Sequence, residues 1–279
     1  MTASLAFFRR DPLAAVAAVV LAVAAIAALA GPWLAPFDPL GVDLAANYQP
    51  SSWTHPLGTD HLGRDTLSRL LAGARVSLGL ALAATGAGLL VGAALGLVAA
   101  WRRGVVDLLF MQAVDILLAL PELLLAITAI TILGRGTTST VVAVAVYAVP
   151  SFARIVRAAA QPLVGADYVT AARAAGASDA RVLWRHVLPG CAAPMLAHAT
   201  VMLGSAILLA SGLSFLGLGV QPPEAEWGAM LSRGRELLRT APLGAVAPGV
   251  AITATVLSFS LLGDGLRDAA SPRRRSRLT

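Results

Sequence analysis

A chain of 279 residues that is 57% apolar and only 13% charged, with a mean hydropathy of +0.77, has too little charge to solvate a soluble surface. Its 21 basic residues are all Arg. Without a Lys it cannot build a Walker-type phosphate loop, so it is not itself a nucleotide hydrolase of that class. The net charge of +6 points to membrane topology and not to nucleic acid, because the Arg residues flank apolar segments.

Six segments are apolar over about the 20 residues that a helix needs to cross a bilayer. They lie near 13–35, 76–100, 107–133, 138–159, 192–216 and 243–264. They lack the alternation of barrel strands, and their abundant Ala and Gly favour close helix packing, so the chain is expected to be all-α. Arg9, Arg10 and the small residues 27–30 also allow the first span to be read as a cleaved signal peptide; its length favours a retained helix.

The loop after the first span, 37–75, begins Pro-rich. It then offers Asp65 as the cap of a helix whose Leu67, Leu70 and Leu71 form an apolar stripe. That helix is expected to lie on the membrane surface. The third span carries two acids, Asp115 and Glu122, seven residues apart. With Gln112 and Ala119 they would share one helical face, and Pro121 favours a kink there. Charge at this depth costs at least about 2.5–3.5 kcal/mol, so the stripe should face protein or water. Gln112, Asp115 and Glu122 are therefore candidates for lining a translocation path suited to cationic or amine-bearing solutes. The alternative is a structural pair of Asp115 with Arg154 or Arg157.

Between the fourth and fifth spans lies a polar insert, DYVTAARAAGASDARVLWRHVLP, over 167–189. Ala171, Ala172, Ala174 and Ala175 favour a helix with little side-chain bulk. Gly176 permits a turn, Ser178 can cap a second short helix, and Pro189 suits the first turn of the next span. Val182, Leu183 and Trp184 would pack on the bundle, while Arg173 and Arg181 would sit at the rim. On these residues alone, a docking site and an ordinary surface hairpin remain equally open. In the second loop of the opposite side, 221–240, Trp227 is expected to anchor at the interface.

With a cytoplasmic N-terminus, fourteen Arg fall inside and seven outside. The seven outer Arg are matched by Asp38, Asp43, Asp60, Asp65, Glu224, Glu226 and Glu236, so the excess positive charge is all inside. Both termini and the insert are then cytoplasmic. No enzyme constellation is present: His55, His61, His186 and His198 lack metal-ligand spacing, and the run 212–217 is not a nucleophile elbow. His198 is expected to hydrogen-bond between helices, and Cys191 to fill a small apolar site.

The insert resembles the coupling loop of ABC-transporter permeases, whose pattern is E-A-A, three residues, Gly, nine residues and I-x-L-P. Ala171, Ala172, Gly176, Leu188 and Pro189 match it, while Thr170 replaces the usual acid and His186 the Ile. Four further stretches resemble the peptide/nickel class of binding-protein-dependent importers: 35–39, 55–65, 213–231 and 261–273. The last reads AASPR where the family commonly has A-L-D-P-R.

The resemblance implies a six-helix type I importer permease in the bacterial inner membrane, contacting lipid. Its partners would be a homologous second permease, two ATPase subunits and an extracytoplasmic solute-binding protein. ATP and Mg²⁺ would be held by the ATPases and no cofactor by this chain. The implied coupling surface comprises Asp167, Tyr168, Thr170, Ala171, Ala172, Arg173, Gly176 and Asp179, with Asp167 or Asp179 taking over from the missing acid. The organisation expected is a tip and first helix at 1–36, a loop at 37–75, and a five-helix core at 76–265. The coupling loop lies at 161–189 within that core, and a basic tail follows at 266–279. Cargo is open among peptides, nickel chelates and related solutes, and a secondary transporter or channel without ATPases remains the competing class.

Overall fold

The structure, a computed structural model, describes residues 12–270, apart from the side chains of 237 and 268–270. Arg9, Arg10 and most of the basic tail lie outside the described residues. Helix α1 covers Pro12–Leu34 and α2 Thr66–Arg102; α3 covers Gly104–Ala119, α4 Glu122–Leu133 and α5 Thr137–Val164. A short pair follows, α6 at Asp167–Ala174 and α7 at Asp179–Val182. Then come α8 at Leu188–Phe215, α9 at Trp227–Gly234 and α10 at Leu243–Ala270. Among the described residues, five helices are long and apolar enough to span a membrane, and the bent pair α3–α4 meets the same criterion jointly, a sixth span if its two arms cross together.

Packing follows side-chain size. In α1 the inward residues are Ala14, Ala17, Ala24 and Gly31, while Val16, Val19, Val23 and Leu29 point outward. This inverts the soluble pattern, as expected where lipid solvates the large apolar groups and small residues let backbones approach. The longest helix, α2, runs through the middle of the bundle against α1, α5 and α8. A Cβ placed on Gly92 would sit 2.5 Å from the Val149 carbonyl oxygen, and one on Gly96 2.5 Å from that of Ala153. Any side chain there would force α2 and α5 apart.

Three expectations change. The surface helix after Asp65 does not stand alone: its residues are the first turns of α2, so the loop ends at Asp65 and not at 75. Asp65 still caps it, accepting from the Ser68 N–H at 2.8 Å. The fifth span begins earlier than expected, because Asp179–Phe215 is one helical run interrupted by a π-turn at Leu183–Val187. Pro189 explains the turn: it has no N–H and its ring would meet the carbonyl four residues back, so the ladder shifts by one residue. Trp227 is no interfacial anchor. It is 3% exposed, and its indole N–H donates to the Leu70 carbonyl at 3.0 Å.

Candidate functional site

At one end of the bundle α6 and α7 form the hairpin. Gly176 takes φ +83°, the left-handed geometry that lets the chain reverse between them. Val169, Val182 and Val187 are buried against α2 and α5, fixing the hairpin to the bundle. Asp167, Tyr168, Thr170, Ala171, Arg173, Gly176 and Asp179 remain exposed. Ala172 differs: it is half-buried and packs inward. Trp184 also departs from expectation, at 68% exposed. Ser178 stands at the N-cap of α7 without a side-chain capping bond.

The acids proposed to replace the one missing at Thr170 are not equivalent. Asp179 is already engaged, accepting the Trp101 indole N–H at 3.0 Å, and the Arg173 guanidinium lies 5.0 Å over the same ring. Trp101 ends α2, so both halves of the hairpin are tied to the longest helix. Asp167 makes no ion pair among the described residues and remains available.

Along the bundle, the shared face of Asp115 and Glu122 is broken. The helix stops at Ala119 and restarts at Glu122 at an angle of 98°, with Pro121 between them. Asp115 pairs with Arg154 on α5, and both side chains are more than half exposed. Arg157 takes a different partner, forking onto Asp107 at 2.5 and 2.6 Å. Gln112 and Glu122 are exposed, and Glu122 lies near Tyr147 of α5. His198 links helices as expected, 2.7 Å from the Ser151 hydroxyl and 3.5 Å from the Arg267 guanidinium.

The opposite end carries residues that sequence reasoning did not single out. Glu226 is fully buried and caps α9, accepting from the N–H groups of Gly228 and Ala229 and from the hydroxyls of Ser77 and Ser211. Nearby, Asp60 pairs with Arg64 at 2.7 Å and lies 3.5 Å from the Arg69 guanidinium. Burial works to raise the Asp60 carboxyl, yet the bonds from Arg64 and the Leu62 N–H hold it below the ordinary carboxylate value. Burial lowers His61, against the pull of Asp60 and reinforced by Arg233. The spacing of Asp60 and Arg64 was a readable signal; the Glu226 partners were not.

Residues 88–276 match the family described as binding-protein-dependent transport system inner membrane component. The chain belongs to this family. Residues 4–50 of the permease also match the N-terminal transmembrane domain of oligopeptide transport permease C. It is 44% identical over 254 residues to the di/tripeptide transport system permease protein DppC of Pseudomonas aeruginosa, covering 89% of this chain and 84% of that one. It is 42% identical over 277 residues to the glutathione transport system permease protein GsiD of Pectobacterium atrosepticum, covering 96% and 90%. Among solved structures, the inward-facing MetNI methionine ABC transporter matches with a TM-score of 0.58 at 19% identity, over 73% of this chain and 96% of that one, which supports the fold. The permease is thus a multi-pass inner-membrane subunit of an ABC importer, not an enzyme, and the reading as an independent channel or secondary transporter is set aside.

Proposed function

We propose that this permease carries short peptides inward, in company with a homologous second permease, two ATPase subunits binding ATP and Mg²⁺, and an extracytoplasmic binding protein. The hairpin end faces the cytoplasm, as the Arg distribution favours, and α6 docks in a cleft of an ATPase. The observation that carries the reading is the hairpin: exposed small residues on α6, an exposed acid at Asp167, and a second short helix bonded to the end of α2. Closure of the ATPases draws the hairpins together, and α2 transmits that displacement through the bundle. The bend at Pro121 and the exposed residues Gln112, Asp115 and Glu122 line the path, with Asp115 and Arg154 offering both charge signs to a zwitterionic cargo.

The test is reconstitution of the complete complex in proteoliposomes with its binding protein. ATP-dependent accumulation of di- and tripeptides, lost with Ala171→Asp although the complex assembles, is the expected result. Accumulation without the ATPases would overturn the reading.

A further inference from the structure

A cavity of about 310 Å³ opens at the end opposite the hairpin, between the 48–64 stretch of the loop, the first turn of α2, α9 and the start of α10. Its size is that of a small-solute pocket, not of a protein cleft. Three guanidiniums line it. Arg64 and Arg69 are 3% and 4% exposed and share the single carboxylate of Asp60. Arg233, half-buried on α9, forms no ion pair among the described residues, and burial beside Arg64 disfavours its charged form. Glu224 and Glu236 also line the cavity and are exposed, yet neither pairs with a guanidinium. The three guanidiniums thus gather around the one carboxylate of Asp60, with two carboxylates elsewhere on the same wall, Glu236 and Glu224, the latter accepting from the Thr137 hydroxyl at 3.2 Å. Buried charge of one sign calls for a counter-ion.

We propose that this cavity is a binding subsite for the carboxylate of a small zwitterionic solute, with Arg233 as the contacting cation. Arg64, Arg69 and Asp60 hold the positive environment behind it, and Glu224 and Glu236 receive the solute's ammonium group. This rests on the reading of the chain as a peptide permease: every unblocked linear peptide carries both charges, so a subsite at the loop end would hold cargo before it enters the path.

The experiment uses the assembled transporter in nanodiscs, without binding protein or ATP, and measures binding by calorimetry. Alanyl-alanine should bind saturably, and its C-terminal amide about tenfold more weakly. Arg233→Gln should weaken alanyl-alanine by a similar factor, and Arg233→Lys should restore most of it. Trifluoroacetate, followed by fluorine NMR, should broaden with the native complex and not with Arg233→Gln, which tests the carboxylate site whatever the cargo proves to be. Equal binding of acid and amide, or indifference to Arg233→Gln, would overturn the proposal. A separate ATPase assay with the binding protein added reads the alternative: an Arg233→Gln effect seen only in that stimulation would also overturn the proposal, since the cation would then serve a carboxylate of the binding protein. ATP-driven peptide uptake is measured separately, so a failed subsite and a failed peptide-import reading give different results.

Discussion

The indole N–H of Trp101 donates to the Asp179 carboxylate at 3.0 Å, joining the last turn of α2 to the second helix of the hairpin. The same ring carries the Arg173 guanidinium of the first hairpin helix. One side chain thus holds both arms of the hairpin to the helix that runs through the bundle.

Trp101→Phe keeps a ring under Arg173 and removes the N–H; Trp101→Ala removes both. A hydrogen bond and a cation–π contact each contribute roughly 0.5–1.5 kcal/mol. The ratio of ATP hydrolysed to solute imported should rise roughly threefold for Phe and about tenfold for Ala, with ATPase activity itself retained. A fall in both rates by one common factor would mean that Trp101 serves folding alone.

At the contact of α2 with α5, Gly92→Leu should destabilise the bundle. The new side chain would overlap the Val149 carbonyl and Phe152, and overpacking of this kind costs about 1–3 kcal/mol or more. Gly79, with nothing within 4 Å of its Cβ position, is the matched control. Detergent thermal melts of the two Leu variants should differ, with only Gly92→Leu shifted strongly downward.

Glu226→Ala should destabilise the loop end by about 2 kcal/mol, since it removes a helix cap and leaves the Ser77 and Ser211 hydroxyls without their acceptor. Hydrogen exchange should report the loss at α9 and the start of α2, with the hairpin unchanged.

Acid should loosen the 48–65 loop before the spans. Asp60 has a lowered carboxyl pKa, so its contribution is full above the unfolded value near 3.8 and disappears as pH falls through the folded value. His61 acts in the same direction from higher pH: its lowered pKa favours the neutral ring, and that stabilisation fades as pH falls below about 6.5. Limited proteolysis of the loop should accelerate in two stages on acidification, and His61→Gln should abolish the upper one.

The exposed Asp115–Arg154 pair separates a path role from a structural one. Exchanging the two charges should preserve the melt within about 1 kcal/mol, as for exposed pairs generally, while altering the preference between acidic and basic peptides. Unchanged selectivity in competition uptake would remove the pair from the path.

The spans were legible because an apolar run of about 20 residues has few alternatives in lipid. The hairpin was legible because its Ala, Gly and Pro act locally. Sequence periodicity failed where the chain changes direction: Asp115 and Glu122 keep their spacing, but the break at Pro121 puts them on helices 98° apart. It also failed where partners are distant. Glu226 meets Ser77 across 149 residues, and Trp227 reads as an interfacial aromatic until Leu70 is seen to hold its N–H. Trp101 was hidden for the same reason, since Asp179 lies 78 residues away.

The central claim, that α6 enters an ATPase cleft, is tested most directly by cross-linking. Cys191 is buried and can be replaced by Ala, leaving a background without thiols in this chain. A single Cys at exposed Ala171 should then cross-link to a Cys on the cleft of the ATPase partner, with a yield that changes on adding ATP. A complex that transports normally while Ala171→Cys never cross-links, with or without nucleotide, would contradict the account.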